Sequence, residues 1–129
     1  MRVKVEDKSS FCSQTQAEKL ETALNRLLSD EPPELVIPIE IKDTPSFFSR
    51  LRKFPWTHSL KPSDGEVIVF PRKIILYKRA FEGSFERLMH IALHEIGHYL
   101  DFDYHSQPDR EKRADAFAER FGYGESIGE

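Results

Sequence analysis

Between Ser84 and about Asp103 the sequence carries a helical pattern whose two sides differ in chemistry, and that difference constrains fold and function together. Phe85, Met89, Ala92, Ile96, Leu100 and Asp103 fall in one arc at helical spacing, with Leu88, Leu93 and Tyr99 beside it, so this side must pack on other elements. His94 and His98 project from roughly the opposite side, within the run His94-Glu95-Ile96-Gly97-His98. Residues four apart stand about 40 degrees apart around a helix, so both imidazoles can reach one ion at roughly 2.0 to 2.1 Å. Glu95, one step round, can reach a water on that ion. A His-Glu-x-x-His pattern also arises by chance, on the order of two times in a hundred for a shuffled chain of this composition. The plain alternative is a pair of solvated or core histidines, so the neighbouring residues decide its weight.

The remaining composition narrows the chemistry. The chain has 129 residues, the size of one domain able to bury a core without staples, and residues 1–129 are read as a single domain with 1–12 and 123–129 as candidate mobile ends. Nineteen Lys and Arg against 22 Asp and Glu, without a block of like charge, give no basis for a nucleic-acid arm or a polybasic membrane patch. Cys12 is the only cysteine, which excludes an intrachain disulfide and a thiolate cage, so a bound metal must be held by His and carboxylates. Cys12 itself reads as a small buried hydrophobe, with a thiolate cap on the metal as the alternative. Met1 to Ser10 lacks the apolar run of a signal peptide, and no stretch approaches the roughly 20 apolar residues of a membrane span. A cytoplasmic protein that does not enter a membrane is expected.

The other elements follow from local signals. Met1 to Val5 has the period of a short edge strand. Ser13 and Gln16 make a capping box ahead of Ala17, Leu20, Leu24, Leu27 and Leu28, a helical stripe stopped by Asp30, Pro32 and Pro33. Leu35 to Lys42 alternates around Pro38, which argues for an edge strand or a bulge. Residues 45–62 mix Phe47, Phe48, Leu51, Phe54 and Trp56 with Arg50, Arg52 and Lys53, read as a packed or substrate-lining loop in preference to a single-strand nucleic-acid surface. Val67 to Phe70 and Ile74 to Tyr77 are two strands, or one bent at Pro71, and a last helix runs from about Pro108 to Gly122.

A catalytic zinc takes three protein ligands and keeps a fourth position open, so the two histidines need a third group from another element. On the last helix Ala114, Phe117, Ala118 and Phe121 form the apolar face, with Glu111 and Asp115 on its flank and Glu119 turned further outward. Glu111 is the candidate ligand, and Asp115, one turn later, can accept the second ring N–H of a ligand histidine. The alternative for both is a solvated helix face with ordinary ion pairs. His105 remains open as a competing third ligand. His90, one turn before His94, is directed about 80 degrees from His98, and three ligands in line along one helix surround an ion poorly, so it reads as structural or supporting.

The His-Glu-x-x-His run followed on the next helix by Glu111-Lys112-Arg113-Ala114-Asp115 resembles the gluzincin metallopeptidases. The string Ala114-Asp115-Ala116-Phe117-Ala118 is similar to the ImmA/IrrE-type peptidase domain, and the size is similar to that of the single-domain minigluzincins of prokaryotes. The resemblance covers about Val67 to Gly122 and leaves the first 60 residues unassigned. It implies zinc held by His94, His98 and Glu111, with Glu95 as the catalytic acid/base and Asp115 supporting a ligand. The connection is short, 12 residues between His98 and Glu111, and the third-histidine extension of metzincins fails because Asp101 stands in place of Gly and Tyr104 in place of His.

The expected protein is therefore an α+β, zincin-like domain: three main helices on a sheet of three or four strands, with zinc between the last two helices. Its expected activity is hydrolysis of peptide bonds in a peptide or protein substrate, as an endopeptidase. His105, Tyr104 and Tyr123 are candidate donors to the transition state by proximity in sequence. The competing reading is a zinc-stabilised regulatory or protein-binding domain in which catalysis is absent or held latent, for instance by the tail 123–129. Glu95 discriminates, since a purely structural site has no need of a general base between its histidines.

Overall fold

The computed structural model describes residues 1–29, 35–43, 64–69, 72–100 and 107–123. Asp30, Pro32 and Pro33, the aromatic and basic stretch 45–62, Phe70 and Pro71, Asp101 and Asp103, Tyr104, His105 and the tail 124–129 lie outside the described residues.

Three helices pack on a four-stranded mixed sheet, an α+β arrangement. In chain order the elements are β1 (Arg2–Asp7), α1 (Gln14–Leu27), β2 (Val36–Lys42), β3 (Gly65–Val69), β4 (Arg72–Tyr77), a 3-10 turn (Lys78–Phe81), α2 (Phe85–Leu100) and α3 (Gln107–Arg120). The strand order is β1-β2-β4-β3; β1 and β4 run parallel to β2, and β3 runs antiparallel to β4. The expected pair after residue 64 is thus two strands. No helix among the described residues is long and apolar enough to cross a membrane.

Local chemistry explains the starts of the helices. Ser13 Oγ accepts from the Gln16 N–H at 3.1 Å while Gln16 Oε1 accepts from the Ser13 N–H, a complete capping box that opens α1. Ser84 Oγ accepts from the Arg87 N–H at 3.1 Å and opens α2 in the same way. Val3, Ile37, Ile39, Ile74 and Leu76 share one sheet face through the strand registers, and Leu20, Leu24, Met89, Ala92 and Ile96 of α1 and α2 join them in one buried cluster. The opposite face carries buried Glu40, ion-paired to Lys8 at 2.7 Å and Lys73 at 2.8 Å.

β2 is not the edge strand that Pro38 implies; it lies inside the sheet, between β1 and β4. The bonds from Arg2 N–H to the Leu35 carbonyl and from Lys8 N–H to the Ile41 carbonyl show that odd-numbered residues of β2 direct their main-chain groups toward β1. Pro38 therefore turns toward β4, and that register begins only at Ile39. Its missing donor falls at the end of a ladder, where an interior strand tolerates it.

The edge strand β1 has its outward amides capped by α1. Asn25 accepts from the Val3 N–H at 2.7 Å and donates to the Val3 carbonyl at 3.0 Å, and Glu21 accepts from the Val5 N–H at 2.8 Å. These bonds take the place of a strand partner at Val3 and Val5 and hinder pairing along that part of the edge. Asn25→Ala strands both main-chain groups of Val3, which are partly shielded, so urea unfolding should show a loss of about 1–3 kcal/mol. A change below about 0.5 kcal/mol would remove the cap from the account of this edge.

Candidate metal centre

Two glycines let the elements around the His-Glu-x-x-His run come together. Gly97 sits in the last turn of α2, where glycine within a helix costs about 1 kcal/mol relative to alanine, and the packing gives the reason. A Cβ there would stand 2.9 Å from Ala114 Cα and 3.2 Å from Phe117 Cβ, so α2 and α3 touch backbone to backbone at this point. At Gly65, the first residue of β3, a Cβ would stand 3.3 Å from Glu95 Cγ and 3.0 Å from the Ile75 carbonyl oxygen. Glu95 therefore lies against the start of the outer strand β3.

The close approach brings α3 across the side of α2 that the helical wheel leaves polar. His94 and His98 are consequently shielded, with side chains 17% and 12% exposed, while the Glu111 side chain at the rim is 67% exposed. Glu111 meets both rings: Oε2 is 3.1 Å from His94 Nε2, and Oε1 is 3.1 Å from His98 Nε2. The two Nε2 atoms are themselves 3.1 Å apart. Three groups, two ring nitrogens and one carboxylate with an oxygen on each, thus form a small triangle, and these are the groups the sequence assigns as ligands. Ligands of a tetrahedral zinc at roughly 2.0 to 2.1 Å lie about 3.3 Å from one another, so an ion fits with shifts of a few tenths of an ångström. Two imidazoles and one carboxylate are also the donor types that suit zinc.

Around the triangle, Asp115 Oδ1 accepts from His94 Nδ1–H at 2.7 Å, the contact expected for it. That bond leaves Nε2 as the atom of His94 that faces His98 and Glu111. His98 Nδ1 is buried with no hydrogen-bond partner among the described residues. Burial opposes charge on His94, but Glu111, Glu95 and Asp115 together outweigh it and raise its pKa to about 9. Hydrogen bonds from His94 and His98 hold Glu111 well below the usual carboxylate range. A proton on His94 and a metal ion are thus competitors for the same carboxylate-rich spot.

The remaining expectations are sorted by position. Glu119 is exposed, as its outward placement implies. Tyr123 packs against the core cluster, and its carbonyl meets His90 Nδ1 at 2.8 Å. His90, His94 and Asp115 form a second group whose ligand atoms lie within 4.8 Å of one another. There, however, His90 Nδ1 is engaged by a carbonyl, and 2.7 Å between His94 Nδ1 and Asp115 leaves no room for an ion. Cys12 belongs to neither metal-capable group among the described residues. It is half-buried, and burial together with Asp7 pushes its thiol up to about 11. Gly65, Gly97 and the Tyr123 carbonyl are the parts of the site that the motif does not name; a glycine interrupting an otherwise regular helical stripe is the one signal that could have drawn attention to Gly97.

No family model matches the chain, and neither does any curated protein or solved structure.

Gly97→Ala forces a shift of backbone against backbone, so metal uptake should fall and unfolding free energy should drop by about 1–3 kcal/mol despite the better helix propensity. Unchanged uptake together with raised stability would remove the close approach from the site. Because a metal must displace the proton that His94 holds up to about pH 9, zinc affinity measured by competition with a chromophoric chelator should rise about tenfold per pH unit from pH 7 and flatten above about 9. A flat profile over that range would show that His94 carries no proton above pH 7 in the metal-free protein.

Proposed function

We propose that this chain is a small zinc-dependent peptidase of the gluzincin type, with His94, His98 and Glu111 as ligands and Glu95 as the general acid/base. The observation that carries the reading is the 3.1 Å triangle of two Nε2 atoms and the Glu111 carboxylate, with Glu95 close enough to His94 to raise its pKa. When bound, zinc supplies acidification of a water and polarisation of a substrate carbonyl. Glu95 accepts a proton from the water as its oxygen bonds to the carbonyl carbon, then delivers that proton to the amine nitrogen as the C–N bond breaks. Gly65 allows the Glu95 side chain to lie beside the sheet without a clash. Asp115 keeps His94 oriented through the step, and the exposed rim at Glu111 leaves a side open to a peptide.

The sheet supports a substrate mode as well. Of its two outer strands, β1 has its outward amides taken by Asn25 and Glu21, whereas β3 begins at Gly65 beside Glu95. An extended peptide adding to the outer edge of β3 would run close to Glu95 and gain affinity through main-chain hydrogen bonds, with modest sequence selectivity. Tyr104 and His105 remain proposed transition-state donors, and His105 the rival ligand.

The test combines metal content with hydrolysis of a peptide library. Wild type and His105→Ala should carry about one zinc per chain, and Glu111→Ala should lose it. Glu95→Gln should keep zinc while hydrolysis falls by about 10²- to 10⁴-fold. Full hydrolysis by Glu95→Gln would take Glu95 out of the mechanism. Zinc without hydrolysis in wild type, with unfolding on chelation, would instead establish the zinc-stabilised binding or regulatory domain.

A further inference from the structure

His90 is the histidine that the triangle leaves out. It stands one turn before His94 on α2, half-buried, with its ring centroid 6.1 Å from that of His94. Its Nδ1 lies 2.8 Å from the Tyr123 carbonyl oxygen. A carbonyl only accepts, so Nδ1 must carry the proton and donate. That assigns His90 a neighbour on the chain segment just after α3.

The Tyr123 carbonyl is itself placed by a defined helix stop. The Tyr123 N–H donates to the Ala118 carbonyl at 3.1 Å and the Gly122 N–H to the Glu119 carbonyl at 2.9 Å, with Gly122 at φ +88°. This is the Schellman pattern with glycine in the left-handed position. Ala118 is fully buried and Tyr123 packs against the same cluster, which completes the turn with an apolar contact. Contacts between the two helices therefore descend in register: His98 with Glu111, His94 with Asp115, His90 with Tyr123. α2 and α3 run antiparallel, and the partners of the three histidines lie four and then eight residues apart, the last beyond the end of α3.

We propose that His90 and the Gly122–Tyr123 turn form a clasp that positions α3 so that Glu111 and Asp115 meet His94 and His98 correctly; His90 is a positioning residue and not a ligand. The close contact of Gly97 with Ala114 and Phe117 lies toward one end of the face the two helices share, and the His90–Tyr123 bond holds the other end. The clasp lies seven residues back along α2 from Gly97, about 10 Å at 1.5 Å per residue, and resists rotation of α3 about the close contact. The sensitivity is steep: a rotation of about 10° moves a carboxylate about 6 Å from the helix axis by about 1 Å. Metal-ligand distances tolerate only about 0.2 Å. The proposal rests on the metal reading above, and its test separates the two.

Zinc and cobalt(II) affinities would be measured for the full chain as wild type, His90→Ala, His90→Asn and Gly122→Ala. Asparagine offers an amide N–H near the position of Nδ1. A Cβ at Gly122 meets no atom within 4 Å, so that variant perturbs only the backbone conformation of the stop. His90→Ala should weaken both metals by about 10- to 100-fold and alter the cobalt d–d spectrum, His90→Asn should restore affinity to within about threefold, and Gly122→Ala should weaken it by a smaller factor. A folded His90→Ala that binds metal like wild type overturns the clasp. So does a His90→Asn as poor as His90→Ala with two metals per wild-type chain, since His90 would then be a ligand. If wild type takes up neither metal, the peptidase reading fails and the clasp is judged by ¹⁵N tautomer signals and hydrogen exchange. A protonated Nδ1 on His90, with faster α3 exchange in His90→Ala that His90→Asn reverses, sustains it; an Nε2–H tautomer or unchanged exchange overturns it.

Discussion

The contact between Gly97 and Ala114 is the constraint on which the site depends. A helix that presents two histidines on one side still lacks a third ligand until another element lies within a few ångströms of those imidazoles. Side chains of ordinary size keep helix axes about 8–10 Å apart, and a glycine facing an alanine permits the short end of that range or less. Here a Cβ at Gly97 would stand 2.9 Å from Ala114 Cα. The short side chains of Glu111 and Asp115 thereby reach the two faces of the histidine pair, with Glu111 at the rim and Asp115 behind His94. Loss of helix propensity at one position is exchanged for a converging set of four polar groups.

The sheet serves the same end from the other side of α2. Its apolar face receives Met89, Ala92 and Ile96 and so fixes the rotation of the helix about its axis, which in turn directs His94 and His98 toward α3. Gly65 relieves the one crowded point between sheet and site, where Glu95 lies against β3. The two outer strands are treated differently: α1 side chains occupy the outward amides of β1, and β3 runs beside Glu95. Electrostatics follow from this crowding. Glu95, Glu111 and Asp115 surround one shielded imidazole, and their summed field exceeds the penalty of burying its charge. The same field that retains a proton attracts a divalent ion.

Much of this was readable from local signals, because local signals record local physics. The capping box at Ser13 and Gln16, the helix start at Ser84 and the apolar stripe of α2 each depend on residues within one or two turns. The pairing of His94 with Asp115 was also legible, since a ligand histidine needs an acceptor and the last helix offers one on the flank of its buried stripe. Pro38 misled because proline reports only on its own missing N–H. Whether that donor is needed depends on where the β2–β4 ladder begins, and the ladder begins at Ile39. The wheel of α2 likewise marked the histidine side as polar without showing that α3 would cover it, leaving His98 only 12% exposed.

The sequence by itself determined the donor types, their spacing along α2 and the flank of α3 from which a carboxylate meets the two histidines, since helical geometry converts residue spacing directly into direction. Only the tertiary structure decided how near the two helices stand, that Gly97 and Gly65 are the positions permitting it, and that His90 engages a main-chain carbonyl instead of the ligand triangle. Those outcomes depend on contacts between residues up to 33 apart, such as His90 and Tyr123, and no local pattern encodes the distance between two packed helices.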